Sequence, residues 1–267
     1  MDLRLGDCCD VLQTLGDGSV DLVITSPPYF NARSYSHFST YDGYLDWLVR
    51  IFGEVHRVLK DGRFCCINVS PVIEPRRSRG DSSTRYPIPF DLCYLLTRRG
   101  YTFIEDLVWV KPEGAAVNRG GGFYRHRKPL AYKPNVSHEY VLVFRKSCDF
   151  LIDKTIRSMD VDVVSASVVA DGYERSSVWH LNPDTASKHP AAFPAAFPTG
   201  LSDRLVSYYS FVGDVVLDPF MGSGTSGVSA CSSGREFIGI ELDASYYKMA
   251  YSRVLDAELM YLLRPTL

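Results

Sequence analysis

Short apolar runs alternate with helical segments along this chain, and that alternation restricts its fold more than any other feature. Residues 3–5, 20–25, 62–69, 102–110, 138–144, 214–217 and 236–240 read as seven strands. The clearest helix lies between the second and third: Tyr44, Trp47, Leu48, Ile51, Phe52, Val55, Val58 and Leu59 share one face, and Asp61-Gly62 reads as its stop. Residues 89–98, 201–209 and 244–259 are further helix candidates. Strands separated by helices predict an α/β domain built on a mostly parallel sheet with helices on both faces. The strands at 102–110 and 138–144 have no helix between them and suit an antiparallel pair at a sheet edge. Residues 147–188 have weak periodicity and no evident place in the sheet, and read as an insertion.

A chain of 267 residues can bury a substantial core. No apolar run approaches the roughly 20 residues that span a bilayer. The chain opens with Asp2 and Arg4 and lacks an apolar signal region, so a cytoplasmic location is expected and no membrane. The seven cysteines include Cys8-Cys9 and Cys65-Cys66 but no Cys-x-x-Cys and no Cys/His cluster at zinc spacing. They read as small buried residues rather than disulfides, and no metal site is expected. The net charge of −2 does not favour nucleic acid, but its distribution does. Arg119, Arg125, His126, Arg127, Lys128 and Lys133 follow one another without an acid. Arg76, Arg77, Arg79 and Arg85 face only Glu74 and Asp81. Both stretches are rich in Gly, Pro or Ser and read as loops, whose charge alone would also suit an ordinary solvated surface.

Two strands end in turns that carry chemistry. The strand at 214–217 runs into Asp218-Pro-Phe-Met-Gly222-Ser-Gly224-Thr225, where Gly222 and Gly224 let the backbone turn tightly and approach a ligand. Glu241 stands after the next strand, placed to accept hydrogen bonds from ribose hydroxyls. A nucleoside cofactor is implied. The same residues spell Gly222-x-Gly224-x-x-Gly227, so a nicotinamide-dependent oxidoreductase is a rival reading. Asp218 argues against it, because an acid suits an ammonium-bearing sulfonium cofactor better than a pyrophosphate. The second turn is Ser26-Pro27-Pro28-Tyr29, at the carboxyl end of the strand 20–25. Alone it would also serve as a strand-ending turn. Its prolines fix an extended backbone and leave their carbonyls as acceptors. An exocyclic base amine is a poor nucleophile because its lone pair is delocalised into the ring. Acceptors on its hydrogens, such as Ser26 Oγ and the Pro27 carbonyl, would free that pair, and Tyr29 could stack on a base turned out of the helix.

With both motifs in place, nearly the whole chain resembles the DNA amino-methyltransferases of bacterial restriction-modification systems, in the circularly permuted group whose catalytic motif precedes the cofactor motif. Thr25–Tyr29 and Asp218–Thr225 carry the resemblance most specifically. Leu5-Gly6-Asp7-Cys8, Asp106-Leu-Val-Trp109-Val-Lys111-Pro112 and Gly239-Ile-Glu241-Leu-Asp243 resemble further family segments. It implies a Rossmann-like methyltransferase fold whose catalytic domain is split into residues 1–146 and 189–267, with 147–188 as a small target-recognition insertion. It also implies S-adenosylmethionine as cofactor, held by Asp7, Thr25, Asp218, Phe220, Gly222, Ser223, Gly224, Thr225 and Glu241. His189 and Pro190 would belong to a segment closing over the methionine part. Arg76, Arg77, Arg119, Arg125, Arg127, Lys128 and Lys133 would meet the phosphates of double-stranded DNA. Serine at the head of the tetrad, Ser26, goes in this family with cytosine N4; adenine N6 is the alternative. A cognate restriction endonuclease is the implied functional partner, and a dimer is open. A DNA-binding module without catalysis is a third class of reading, disfavoured by the presence of Ser26–Tyr29 together with Glu241.

Overall fold

Every residue of strand β2, Val20–Thr25, is buried, as a strand covered on both faces of a parallel sheet must be. The computed structural model describes residues 1–31, 37–74, 78, 83–112, 136–169, 174–182 and 197–264. Around β2 stand β1 (Asp2–Leu5), β3 (Leu59–Val69), β6 (Tyr101–Val110), β7 (His138–Lys146), β8 (Val178–His180), β9 (Val215–Asp218) and β10 (Glu236–Glu241), in the spatial order β1-β10-β9-β2-β3-β7-β6-β8. All pairs are parallel except those that β7 makes with β3 and β6. The seven expected strands are all present, and 102–110 and 138–144 do pair antiparallel.

Helices cover both faces. On one side α1 (Cys8–Gln13), α2 (Tyr41–Val58) and α3 (Ile88–Thr97) bury Leu12, Tyr44, Leu48, Phe52, Leu92 and Leu96 against the sheet. After α4 (Ile152–Ser158) and α5 (Val161–Ala166), the opposite face is covered by α6 (Thr199–Tyr209), α7 (Thr225–Ser232) and α8 (Ala244–Leu262), through Leu201, Leu205, Ala230, Ala250 and Val254. The helix after β2 therefore leaves toward one face and the helix after the adjacent β9 toward the other. That divergence opens a crevice at the carboxyl ends of the two strands, the place where open α/β sheets bind ligands.

Three expectations are corrected. Residues 147–188 are not separate from the sheet: Val178–His180 pairs in parallel with β6 and becomes the edge strand that β6 was expected to be. The segment hides this because β8 is three residues long and buries only Trp179, while α4 and α5 bury no side chain. Helix α2 stops at Leu59, and Asp61-Gly62 lies inside β3 as an irregularity in its pairing with β2, with Gly62 at φ 77°. Arg85 lies on a strand: β4 (Val72–Glu74) and β5 (Thr84–Tyr86) form a small antiparallel ribbon. Cys8, Cys65, Cys66 and Cys231 are buried and all seven cysteines are free thiols. No helix among the described residues is long and apolar enough to cross a membrane.

Candidate active site

The two motifs meet because their strands are neighbours. Thr25 ends β2 fully buried, and its hydroxyl donates to Asp218 Oδ1 across 2.7 Å at the end of β9. The same carboxylate accepts from the Phe220 amide at 3.0 Å and from the Ser226 hydroxyl at the start of α7. Asp218 is 1% exposed, and burial pushes its pKa up to about 6 against the pull of these donors. One carboxyl group thus ties the Pro-Pro turn, the Gly-rich turn and the helix behind it.

The Gly-rich turn takes the shape that its composition suggests. Gly222 and Gly224 have φ of 55° and 81°, and Gly224 caps α7 without a side chain. A Cβ on Gly224 would stand 3.0 Å from the Ala250 Cβ, so helix α8 also requires a glycine there. Glu241 is anchored by main chain on both oxygens, from Gly222 N at 2.8 Å and Asp243 N at 2.8 Å. Burial raises its pKa, with those donors opposing. Because β1 pairs with β10, Leu5 lies opposite Glu241 and Asp7 follows two residues on, exposed and capping α1 through a 2.8 Å bond from Cys9 N. Phe220 packs against Trp47 of α2, ring centroids 5.6 Å apart. Ser223 accepts from Arg253 at 2.9 Å, and Ser223 and Thr225 are buried. A half-buried carboxylate beside an aromatic pair and a turn stripped of side chains suit the sugar and ring of a nucleoside.

In the other motif, Ser26 Oγ donates to the main-chain carbonyl of Asn68 on β3 at 3.1 Å and accepts from Asn68 Nδ2 at 3.4 Å, which leaves a second lone pair as the acceptor for an outside donor. The Pro28 carbonyl is not free as expected: the Tyr44 hydroxyl donates to it at 3.1 Å and fixes the turn on α2. Tyr29 is half-buried, and its hydroxyl donates to Glu139 Oε2 at 2.7 Å. Burial of that hydroxyl, then the nearby carboxylate, holds its pKa well above the ordinary tyrosine value. Asn68 Nδ2 donates to the same Glu139 oxygen at 2.6 Å, and Lys111 just after β6 pairs with the other. His189, Pro190, Arg76, Arg77, Arg119, Arg125, Arg127, Lys128 and Lys133 lie outside the described residues.

Asn68, Glu139 and Tyr44 did not emerge from the sequence as site residues. For Asn68 the available signal was a polar side chain set in an otherwise apolar run, Cys66-Ile67-Asn68-Val69. Glu139 stands beside His138 at the start of its strand and Tyr44 on the apolar stripe of α2, and neither carries such a signal. Nothing in their spacing connects positions 26, 68, 111 and 139.

The chain is similar to known proteins in sequence and in fold. A family model described as DNA methylase, of the N6 and N4 type, matches residues 20–252. The Type II methyltransferase M.XycI of Xanthomonas campestris pv. cyanopsidis is 30% identical, with 93% of this chain and 86% of that protein aligned. The structure of a DNA modification methylase from Thermus thermophilus, complexed with S-adenosyl-L-methionine, superposes with a TM-score of 0.77 at 29% identity, covering 96% of this chain and 93% of that one. PvuII DNA methyltransferase (cytosine-N4-specific) gives a TM-score of 0.69 at 19% identity over 97% of this chain and 92% of its own, which is a likeness of fold.

Proposed function

The chain belongs to the N6 and N4 DNA methylase family, and from that premise we propose that it methylates the N4 amine of cytosine within a specific sequence of duplex DNA. Its cofactor is S-adenosylmethionine, which supplies an electrophilic methyl group. The oxidoreductase reading of the Gly-rich turn gives way to this family membership, as does a module without catalysis.

The observation that carries the reading is Ser26 Oγ at the crevice with its own proton given to the Asn68 carbonyl. An oxygen so engaged accepts from an amine hydrogen, and the Pro27 carbonyl is the second acceptor. Drawing both hydrogens toward oxygen pyramidalises the nitrogen and returns its lone pair from the ring. That pair would form the new C–N bond as the methyl–sulfur bond breaks with its electrons left on sulfur, and one proton of the alkylated amine would pass to solvent. Alignment of nitrogen, carbon and sulfur is the main demand, a matter of positioning. Tyr29 stacks on the base outside the helix. On the cofactor side, Glu241 accepts from the ribose hydroxyls, Phe220 lies against the adenine, and Asp7, Gly222, Ser223, Gly224 and Thr225 line the turn. Thr25 and Asp218 contribute from behind, by holding the two turns together. The arginines and lysines at 76, 77, 119, 125, 127, 128 and 133 contact phosphates, and 147–188 takes part in target recognition. As a cytoplasmic Type II modification enzyme, the protein would protect the sites of a cognate endonuclease.

Cytosine rather than adenine rests on Ser26 at the head of the tetrad. Incubating the purified protein with S-adenosylmethionine and plasmid, then analysing digested nucleosides by mass spectrometry, tests it. N4-methylcytosine is the expected product. N6-methyladenine alone would move the assignment to the other branch of the family.

A further inference from the structure

Behind the Pro-Pro-Tyr turn lies a buried polar group that the chemistry above does not use. Glu139 is 9% exposed on β7, and three groups converge on its carboxylate: Tyr29 OH at 2.7 Å, Asn68 Nδ2 at 2.6 Å and the Lys111 ammonium. The four residues come from separate parts of the chain: the turn after β2, strand β3, the end of β6 and strand β7. The convergence follows from register, since Asn68 pairs with Val141 and Glu139 lies two residues before Val141 on the same face.

We propose that Glu139 is the positioning residue of this active site, fixing Tyr29 by its hydroxyl and Asn68 by its amide so that ring and Ser26 acceptor are set before DNA arrives. Three observations support a role beyond holding the sheet together. Tyr29 would otherwise rotate about its side-chain bonds, and a turned-out base can stack only on a ring held at one angle. Asn68 is the residue whose main-chain carbonyl takes the Ser26 proton, so the carboxylate that grips its side chain also steadies that acceptor. The network is also poorly designed for stability alone. Among the described residues, the buried Asn68 Oδ1 meets no donor, a defect that costs about 1–3 kcal/mol. Apolar side chains could fill such a site without that penalty. Lys111, lying 4.8 Å over the Trp109 ring, takes the second carboxylate oxygen, so both oxygens of Glu139 are held by donors. Glu139 acts through Tyr29 and Asn68 and does not itself touch the base.

The inference rests on methyl transfer to DNA, whose failure would show separately as no transfer by the wild-type protein. The experiment compares wild type, Glu139→Gln, Tyr29→Phe and the double variant for methyl transfer to plasmid DNA, with cofactor Kd measured by calorimetry. Glu139→Gln should lower kcat about 10- to 100-fold, as loss of alignment does, while cofactor Kd changes less than about threefold. Tyr29→Phe keeps the ring and loses the tether, so it should fall in the same direction. Because the Tyr29 contact is among those that Glu139→Gln disturbs, the double variant should lie within about threefold of the slower single one. Unchanged kcat in Glu139→Gln, or losses that multiply in the double variant, would overturn the proposal. Should Glu139→Gln fail to bind cofactor, Tyr29→Phe decides, and full activity there refutes it.

Discussion

Asp218 shows how much one residue can carry in this protein. Its place after an apolar strand and before two glycines marks it in the sequence as part of a cofactor turn. Its partner Thr25 is 193 positions away, and no local pattern announces that bond. The structure gives the carboxylate to Thr25, Phe220 N and Ser226, so the acid expected to face a ligand is spent inside the protein. Its pKa of about 6 has a definite consequence for stability. The folded value lies above the unfolded one, near 3.9. Between roughly pH 4 and 6 the folded state holds a proton that the unfolded state has lost, so this group's contribution falls as pH rises and is constant above that window. Two units correspond to about 3 kcal/mol at most. Asp218→Asn removes the titration while keeping the shape. Chemical denaturation of both proteins at pH 4 and pH 7 should therefore show the variant gaining on wild type by about 2 kcal/mol toward the higher pH. A difference independent of pH would mean that Asp218 is not held protonated by burial.

Among the elements, those with long apolar runs or a clear stripe were readable, and short ones were not. Strand β2 matches its sequence boundaries and α2 buries the stripe of Tyr44, Leu48, Ile51, Phe52 and Val55. Strand β8 and the ribbon β4–β5 are built from strands of three residues each, too short for any period to register. The glycine pattern was readable with an ambiguous meaning. Gly227 completes a dinucleotide-like fingerprint, yet its reason here is packing: a Cβ would stand 2.5 Å from Phe237 on β10 and 2.7 Å from Val254 on α8. Helix α7 lies against both elements only because that side chain is missing. Gly227→Ala should cost about 1–3 kcal/mol, seen as a Tm lower by about 2–4 °C for each kcal/mol. A variant that melts with wild type would show that α7 can move away from β10 without penalty.

For the whole molecule, a net charge of −2 means that DNA must be attracted by local concentrations of charge rather than by overall balance. Replacing Arg119, Arg125, Arg127, Lys128 and Lys133 by glutamine should weaken DNA binding. It should also flatten the dependence of log K on log salt by about 0.9 for each phosphate no longer neutralised, with cofactor affinity unchanged. Binding titrations at several salt concentrations give this directly; an unaltered slope would assign phosphate neutralisation to other residues. The sequence by itself determined the longer local units: which apolar runs become the main strands and helices, which two strands end in reactive turns, and through them the family. Periodicity, turn residues and motif spacing act over a few residues, and a single chain displays them. Only the tertiary structure decided that β2 and β9 lie side by side with their helices leaving toward opposite faces. It alone brought Asn68, Lys111 and Glu139 to the back of the Pro-Pro-Tyr turn. Those meetings depend on strand order and register, which packing across the whole sheet sets and no neighbouring residue encodes. The two turns were visible from the start, but what holds them in register was not.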